Sequence, residues 1–180
     1  MPLLVRRSRL GIGSDSSKFP TVSGFNLNRQ ELEFPRDFGG DLNLLFVPFL
    51  QYQQTIVNTW IPLADKLESS FPELAYYELP TINELPALPR TFINEGMRAG
   101  IPNAKARERT VTLYIDLPRF MRALSIPTKD EVHVLLVERQ GSILWRTTGS
   151  FDEAKGSALA GAIASYLGRY ASNALPPNTI

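Results

Sequence analysis

Two stretches of this chain, residues 44–49 and 132–137, are apolar at successive rather than alternate positions, with His133 the one exception. A strand with one wet face alternates apolar and polar side chains, so an unbroken apolar run belongs to a strand covered on both faces. Two such runs commit the chain to a central sheet with helices on either side, an α/β architecture. Pro48 has no amide hydrogen to give to a ladder and is placed at the C-terminal end of its strand, where pairing stops.

The pattern between these runs supplies the other elements. Over 54–70, Ile56, Trp60, Leu63, Leu67 and Phe71 recur at spacings of three and four, one apolar stripe. Pro62 lies inside that stripe and is expected to kink the helix. A strand over 74–79 follows, which makes a strand–helix–strand unit with a right-handed parallel crossover. Residues 80–109 are less regular: Pro80, Pro86, Pro89 and Pro102 frame a predicted helix over 90–99, ended by Gly100. The β-branched segment 110–115 reads as a strand, and Asp116 as the N-cap of a short helix over 118–124. Residues 139–142 turn the chain from 132–137 into 143–147, an antiparallel hairpin. Asp152 opens a last helix with Leu159, Ile163, Tyr166 and Tyr170 on one stripe. Upstream, 19–41 reads as a hairpin or arm with Gly24, Asn26 and Asn28 as turn formers. The expected organisation is a flexible lead over 1–18, one domain over 19–171 with an insertion at about 80–109, and a tail over 172–180.

The residue inventory excludes several chemistries. None of the 180 residues is cysteine, which removes disulfides, thiolate nucleophiles, iron–sulfur clusters and zinc sites that need sulfur. No tight Asp/Glu/His spacing suggests a metal site, and no cofactor or catalytic residue is predicted. The only histidine, His133, sits in an apolar strand and is expected to be buried or locally satisfied rather than a general base. With 19 Lys+Arg against 18 Asp+Glu, electrostatically driven binding to nucleic acid is not expected. The locally basic set Arg90, Arg98, Lys105, Arg107 and Arg109 either meets an acidic partner or lipid surface or is a solvated insertion; it lacks the interleaved aromatics that stack bases. No run reaches a membrane span. Arg6, Arg7 and Arg9 follow the short apolar start, the reverse of a signal peptide, and give with Ser8 and Ser14 only a trace of a transit peptide. Ala154, Ala158, Gly161 and Ser165 form a small-residue stripe that lets the last helix lie flat on the sheet or approach a second copy.

The order β-α-β, insertion, helix, β-hairpin, closing helix resembles that of the thioredoxin fold over roughly 34–167. The likeness includes Phe49-Leu-Gln-Tyr-Gln-Gln-Thr-Ile-Val57, then Trp60-Ile61-Pro62, and Gln140-Gly141 with Trp145-Arg146 in the hairpin. In thioredoxin-like proteins the first central strand runs into a CxxC at a helix start, with a kink proline one turn later. Aligned without gaps, the two cysteine positions fall on Gln54 and Val57, and the proline on Pro62. Residues 49–62 and 134–146 are similar to the thioredoxin-like family of the mitochondrial ATP-synthase assembly factor called ATPase complex subunit ten, in which the thiol pair is not a defining feature. The resemblance implies a redox-inactive assembly factor or protein-binding module for a membrane complex. Gln51, Tyr52, Gln53, Gln54 and Val57 would form the rim where a protein partner is held. It implies a bacterial cytoplasmic or mitochondrial matrix or inner-membrane-face protein, monomeric or homodimeric. A non-thiol enzyme or small-ligand carrier using the same cleft is the alternative. One departure concerns the proline that thioredoxins place in cis before the hairpin's first strand: that position falls near Val132, and Ile126-Pro127 lies five residues too early. Peptide capture in the thioredoxin manner is therefore not expected.

Overall fold

The computed structural model describes residues 17–173, with side chains described as far as Tyr170. The readings made on 1–16 and 174–180 lie outside the described residues. Strands β3 (Leu42–Val47), β4 (Leu74–Glu78), β7 (His133–Glu138) and β8 (Ile143–Thr148) lie in the spatial order β4-β3-β7-β8. The β3–β4 pair is parallel and the others are antiparallel. A second group, β1 (Val22–Asn26), β2 (Glu31–Phe34), β5 (Thr81–Asn83) and β6 (Val111–Ile115), has the order β2-β1-β6-β5. Only Leu79-Pro80 separates β4 from β5, and a parallel bridge between Glu78 and Thr110 carries the ladder from one group to the other.

The unbroken apolar runs lie where their pattern requires. Alternate residues of β3 and β7 enter two different cores. Leu45, Val47, Leu135 and Val137 pack with Phe19, Phe34, Phe38 and Phe120 on one face. Leu42, Leu44, Phe46, Val134 and Leu136 pack with Trp60, Leu67, Leu159 and Ile163 on the other. At roughly 25 cal/mol per Å² of buried apolar surface, these two clusters supply most of the drive to fold. Pro48 follows the last residue of β3, and its carbonyl accepts the Thr81 N–H at 2.9 Å.

Helices α1 (Gln54–Asn58), α2 (Ile61–Ser70) and α6 (Glu153–Asn173) belong to the second face, and α5 (Leu117–Ala123) to the first. The insertion contains α3 (Ala87–Gly100) and α4 (Ala104–Arg109). Three expectations need correction. Pro62 does not kink one helix but opens a second: with no N–H to offer the preceding turn, it is accommodated in the first turn of α2. Thr59 and Trp60 close short turns onto Ile56 and Val57 across the break. Gly24 is not a turn residue; it lies within β1, where a Cβ would come 2.5 Å from the Thr112 carbonyl oxygen of β6. Of the two readings of the small-residue stripe of α6, the one that lays it flat on the sheet fails, because Ala154, Ala158, Gly161 and Ser165 are all exposed. The close approach to the fold is made instead by buried Gly156, whose Cβ would sit 2.8 Å from the Phe151 ring.

Candidate functional site

Where β3 ends, Leu50 leads into a 3₁₀ turn over Gln51–Gln53 that runs directly into α1. Gln53 holds this corner. Its Oε1 accepts the N–H groups of Phe49 (2.7 Å) and Leu50 (3.2 Å), and its Nε2 donates to the Lys129 carbonyl at 2.8 Å. One buried amide thus satisfies the strand end and fastens it to the loop before β7. Gln51 and Tyr52 remain on the outside, Tyr52 60% exposed. Gln54 and Val57, at the aligned thiol positions, have different surroundings: Val57 is fully buried in the second-face core, while Gln54 is half-buried. Of the five rim residues read from the sequence, then, Gln51, Tyr52 and Gln54 present side chains at the surface. Gln53 and Val57 act from beneath it.

The break between α1 and α2 is anchored by Trp60, fully buried, with Nε1–H donating to the Gly149 carbonyl at 3.0 Å. Its ring meets Phe46, Trp145 and Phe151 at centroid distances of 6.1, 6.5 and 5.4 Å. Thr59 Oγ1 accepts the Phe151 N–H at 2.9 Å. The helix break is therefore docked on the segment between β8 and α6.

Behind Gln54 lies a polar group that sequence reasoning missed. Gln54 Nε2 donates to Glu78 Oε2 at 2.8 Å and to Asn58 Oδ1 at 3.1 Å. Glu78 is 8% exposed, and burial raises its carboxyl above the usual range despite the Gln54 hydrogen bond and nearby Arg109. Arg109, also buried, lies over the Tyr76 ring at 3.9 Å and is within 3.3 Å of Glu68 and 3.5 Å of Asp65. Tyr76 donates to Asp65 at 2.6 Å, and burial first, then that hydrogen bond, raise its phenol. The basic set of the insertion is thereby divided. Arg109 and Lys105 pair with acids of α2, and Arg107 donates to the Ile101 and Pro102 carbonyls and to Asn28.

His133 is buried at the start of β7 with its ring edge toward Phe49 at 6.1 Å. Burial lowers its pKa, so the ring is neutral near pH 7, and Nε2 finds no hydrogen-bond partner among the described residues. The next-door Val132 is buried, and its carbonyl accepts the Gly149 N–H at 2.9 Å. The cis peptide among the described residues is Phe34–Pro35, not Ile126–Pro127 or the bond before Val132. No group of three or more His, Asp or Glu among the described residues is placed to hold a metal ion. No described helix is long and apolar enough to cross a membrane.

No family model matches the chain, and no curated protein matches its sequence. Solved structures match its fold. A putative electron transfer protein from Aquifex aeolicus VF5 superposes with a TM-score of 0.58 at 11% identity, over 82% of this chain and 94% of that one. BsSco, a member of the Sco family of cytochrome c oxidase assembly proteins, gives 0.53 at 13% identity, over 83% and 95%. A putative thiol:disulfide interchange protein DsbE from Chlorobium tepidum gives 0.52 at 13% identity, also over 83% and 95%. The chain has a thioredoxin-like α/β fold of mixed sheets flanked by helices.

Proposed function

We propose that this protein is a redox-inactive thioredoxin-fold module that holds a protein partner at the corner after β3, and that it serves as an assembly factor, in the manner of a chaperone, for a membrane complex. The observation that carries this reading is the corner itself: Gln53 makes it rigid from below while Gln51 and the Tyr52 ring stand free above it. An exposed aromatic and amides on a fixed turn suit recognition of a polypeptide, because little side-chain freedom is lost on binding. The absence of cysteine leaves no thiol for exchange or peroxide reduction among these 180 residues. Two likenesses support a membrane complex as the class of partner. BsSco belongs to a family of cytochrome c oxidase assembly proteins, and residues 49–62 and 134–146 resemble an ATP-synthase assembly family.

The alternative, a non-thiol enzyme or small-ligand carrier at the same cleft, needs an acid–base pair or an open pocket there. Glu78, the buried carboxyl nearest the corner in hydrogen-bond terms, is held by Gln54. Two assays test the proposal. Insulin reduction and peroxide consumption should stay at the blank, and turnover above it sinks the redox-inactive part. Partners recovered with the full chain should be lost with the Gln51→Ala/Tyr52→Ala double variant. Equal recovery removes the corner as the binding site.

A further inference from the structure

Helix α3 lies exposed on the surface of the fold. None of its 14 residues is buried, and Leu88 and Phe92, on its outer side, are 70% and 74% exposed. Its inner side is mixed: Ile93 and Met97 are half-buried, and beside them Arg90, Asn94 and Arg98 face the hairpin β1–β2 and strand β6 across a cavity of about 440 Å³. That volume lies in the range of about 300–1,000 Å³ typical of small-molecule sites. An amphipathic helix normally buries its apolar side, whereas here Leu88 and Phe92 are outside and three polar side chains line the cavity.

The cavity's chemistry is specific. Three guanidiniums, Arg29, Arg90 and Arg98, and one carboxylate, Glu95, line it. Glu95 pairs with Arg29 at 3.0 Å and lies 3.9 Å from Arg98. Arg90 has no ion-pair partner among the described residues; it lies over the Tyr114 ring at 5.6 Å. Tyr114 donates to Asn94 Oδ1 at 2.9 Å, which fixes the amide with its NH₂ group left to donate elsewhere. Phe25, 46% exposed, and Leu27 give the opposite wall an apolar surface. We infer that this cavity binds a small aromatic anion, a phosphate or carboxylate joined to a flat ring. Arg90 and Arg98 hold the charged end with Asn94, and the ring lies against Phe25. Planar guanidiniums suit such anions because they donate two parallel hydrogen bonds. Glu95 competes with the ligand for Arg98 and Arg29. The bound ligand ties an otherwise weakly held helix to the hairpin.

Amide NMR titration of the full chain tests this with four probes: phenyl phosphate, benzoate, inorganic phosphate and phenol. At least one of the two aromatic anions should shift α3, Phe25 and Tyr114 signals, with affinity about tenfold or more above that for inorganic phosphate and phenol. Which of the two binds more tightly identifies the charged group. Arg90→Ala/Arg98→Ala should weaken binding about tenfold or more, Arg90→Lys should weaken it less, and Glu95→Gln should strengthen it. Hydrogen exchange in α3 should slow when the probe is bound. The core signals of β3 and β7 report that each variant is folded, and loss of binding on adding salt to the wild type is an independent check. Equal affinity for all four probes, shifts confined to regions outside the cavity, weaker binding by Glu95→Gln, or no saturation at millimolar probe overturns the proposal.

Discussion

The corner after β3 and the underside of α3 are both polar, and both are built from amides and charged groups beside aromatic rings, yet they differ in where their hydrogen bonds go. At the corner, Gln53 donates and accepts only within the chain, tying Phe49, Leu50 and Lys129 together. Under α3, Arg90 and the Asn94 NH₂ have no comparable partner among the described residues, and the helix has no buried residue. A polar group turned inward and satisfied is a structural fastener, because breaking it strands buried partners. A polar group turned toward a cavity and left open contributes little to the fold and is available to a ligand. The same residue types therefore serve rigidity in one region and reception in the other.

The largest expected effect tests the corner's anchorage. Trp60→Ala removes a fully buried ring and the bond from Nε1 to Gly149, and should cost about 3–5 kcal/mol in urea unfolding. A loss under about 1 kcal/mol would mean that the α1–α2 break is not docked as described. Next comes Gln53→Ala, which leaves the Phe49 and Leu50 N–H groups and the Lys129 carbonyl without their partner and should cost about 3 kcal/mol. Gln53→Glu keeps the two acceptor bonds but cannot donate to Lys129, so it should fall between the wild type and the alanine variant above pH 6. An alanine variant as stable as the wild type would place Gln53 with Gln51 and Tyr52 as a surface residue.

These contrasts also show what a linear sequence discloses. The runs at 44–49 and 132–137 were legible because burial on both faces leaves a local mark, and the structure puts both at the centre of one sheet. The polar segment Gln51-Tyr52-Gln53-Gln54 was legible as the approach to a helix. Which of the four turns inward depends on a carbonyl 76 positions away, so no local pattern distinguishes Gln53 from its neighbours. Arg109 stood in the sequence only as one of a basic set, and nothing singled out Glu78; their burial follows from the Glu78–Thr110 bridge, which joins segments distant in the chain. Pro62 was rightly seen as an interruption, but its effect depends on Trp60: the buried indole fixes where the first helix stops, and the proline begins the next. The polar stripe Arg90, Asn94, Arg98 stood at helical spacing in the sequence. What the sequence left out was the hairpin opposite it.

Glu78 links the corner to the insertion and gives a smaller, pH-dependent effect. Burial raises its folded carboxyl pKa above the ordinary value of 4.5. The folded state then binds the proton more tightly than the unfolded chain does. The associated stability is fully present below about pH 4.5 and is lost as pH rises through the folded value. Glu78→Gln has no such loss and retains an oxygen for the Gln54 amide. Its stability relative to wild type should therefore grow as pH rises above about 4.5 and level off once the folded carboxyl has ionised. All other titrating groups are common to both proteins and largely cancel in the difference. A difference constant over that range would show that Arg109 and Gln54 already compensate the burial.

The smallest effect is the most discriminating between the two regions. Leu88→Ser and Phe92→Ser replace large apolar side chains, a change that in either core would cost several kcal/mol. Both side chains face solvent on the outer side of α3, with most of their surface already wet in the folded chain. The transfer term that penalises such replacements is therefore mostly absent, and each variant should lie within about 0.5 kcal/mol of wild type. The cavity on the opposite face should keep its affinity for the aromatic anion, since neither residue lines it. A cost above about 2 kcal/mol would show that the outer face of α3 is covered in solution. A concentration-dependent loss would identify the cover as a second copy of the chain, because only an interface between copies makes apparent stability depend on protein concentration. A concentration-independent loss would mean that α3 folds back onto its own chain, and the insertion would then be as fastened as the corner.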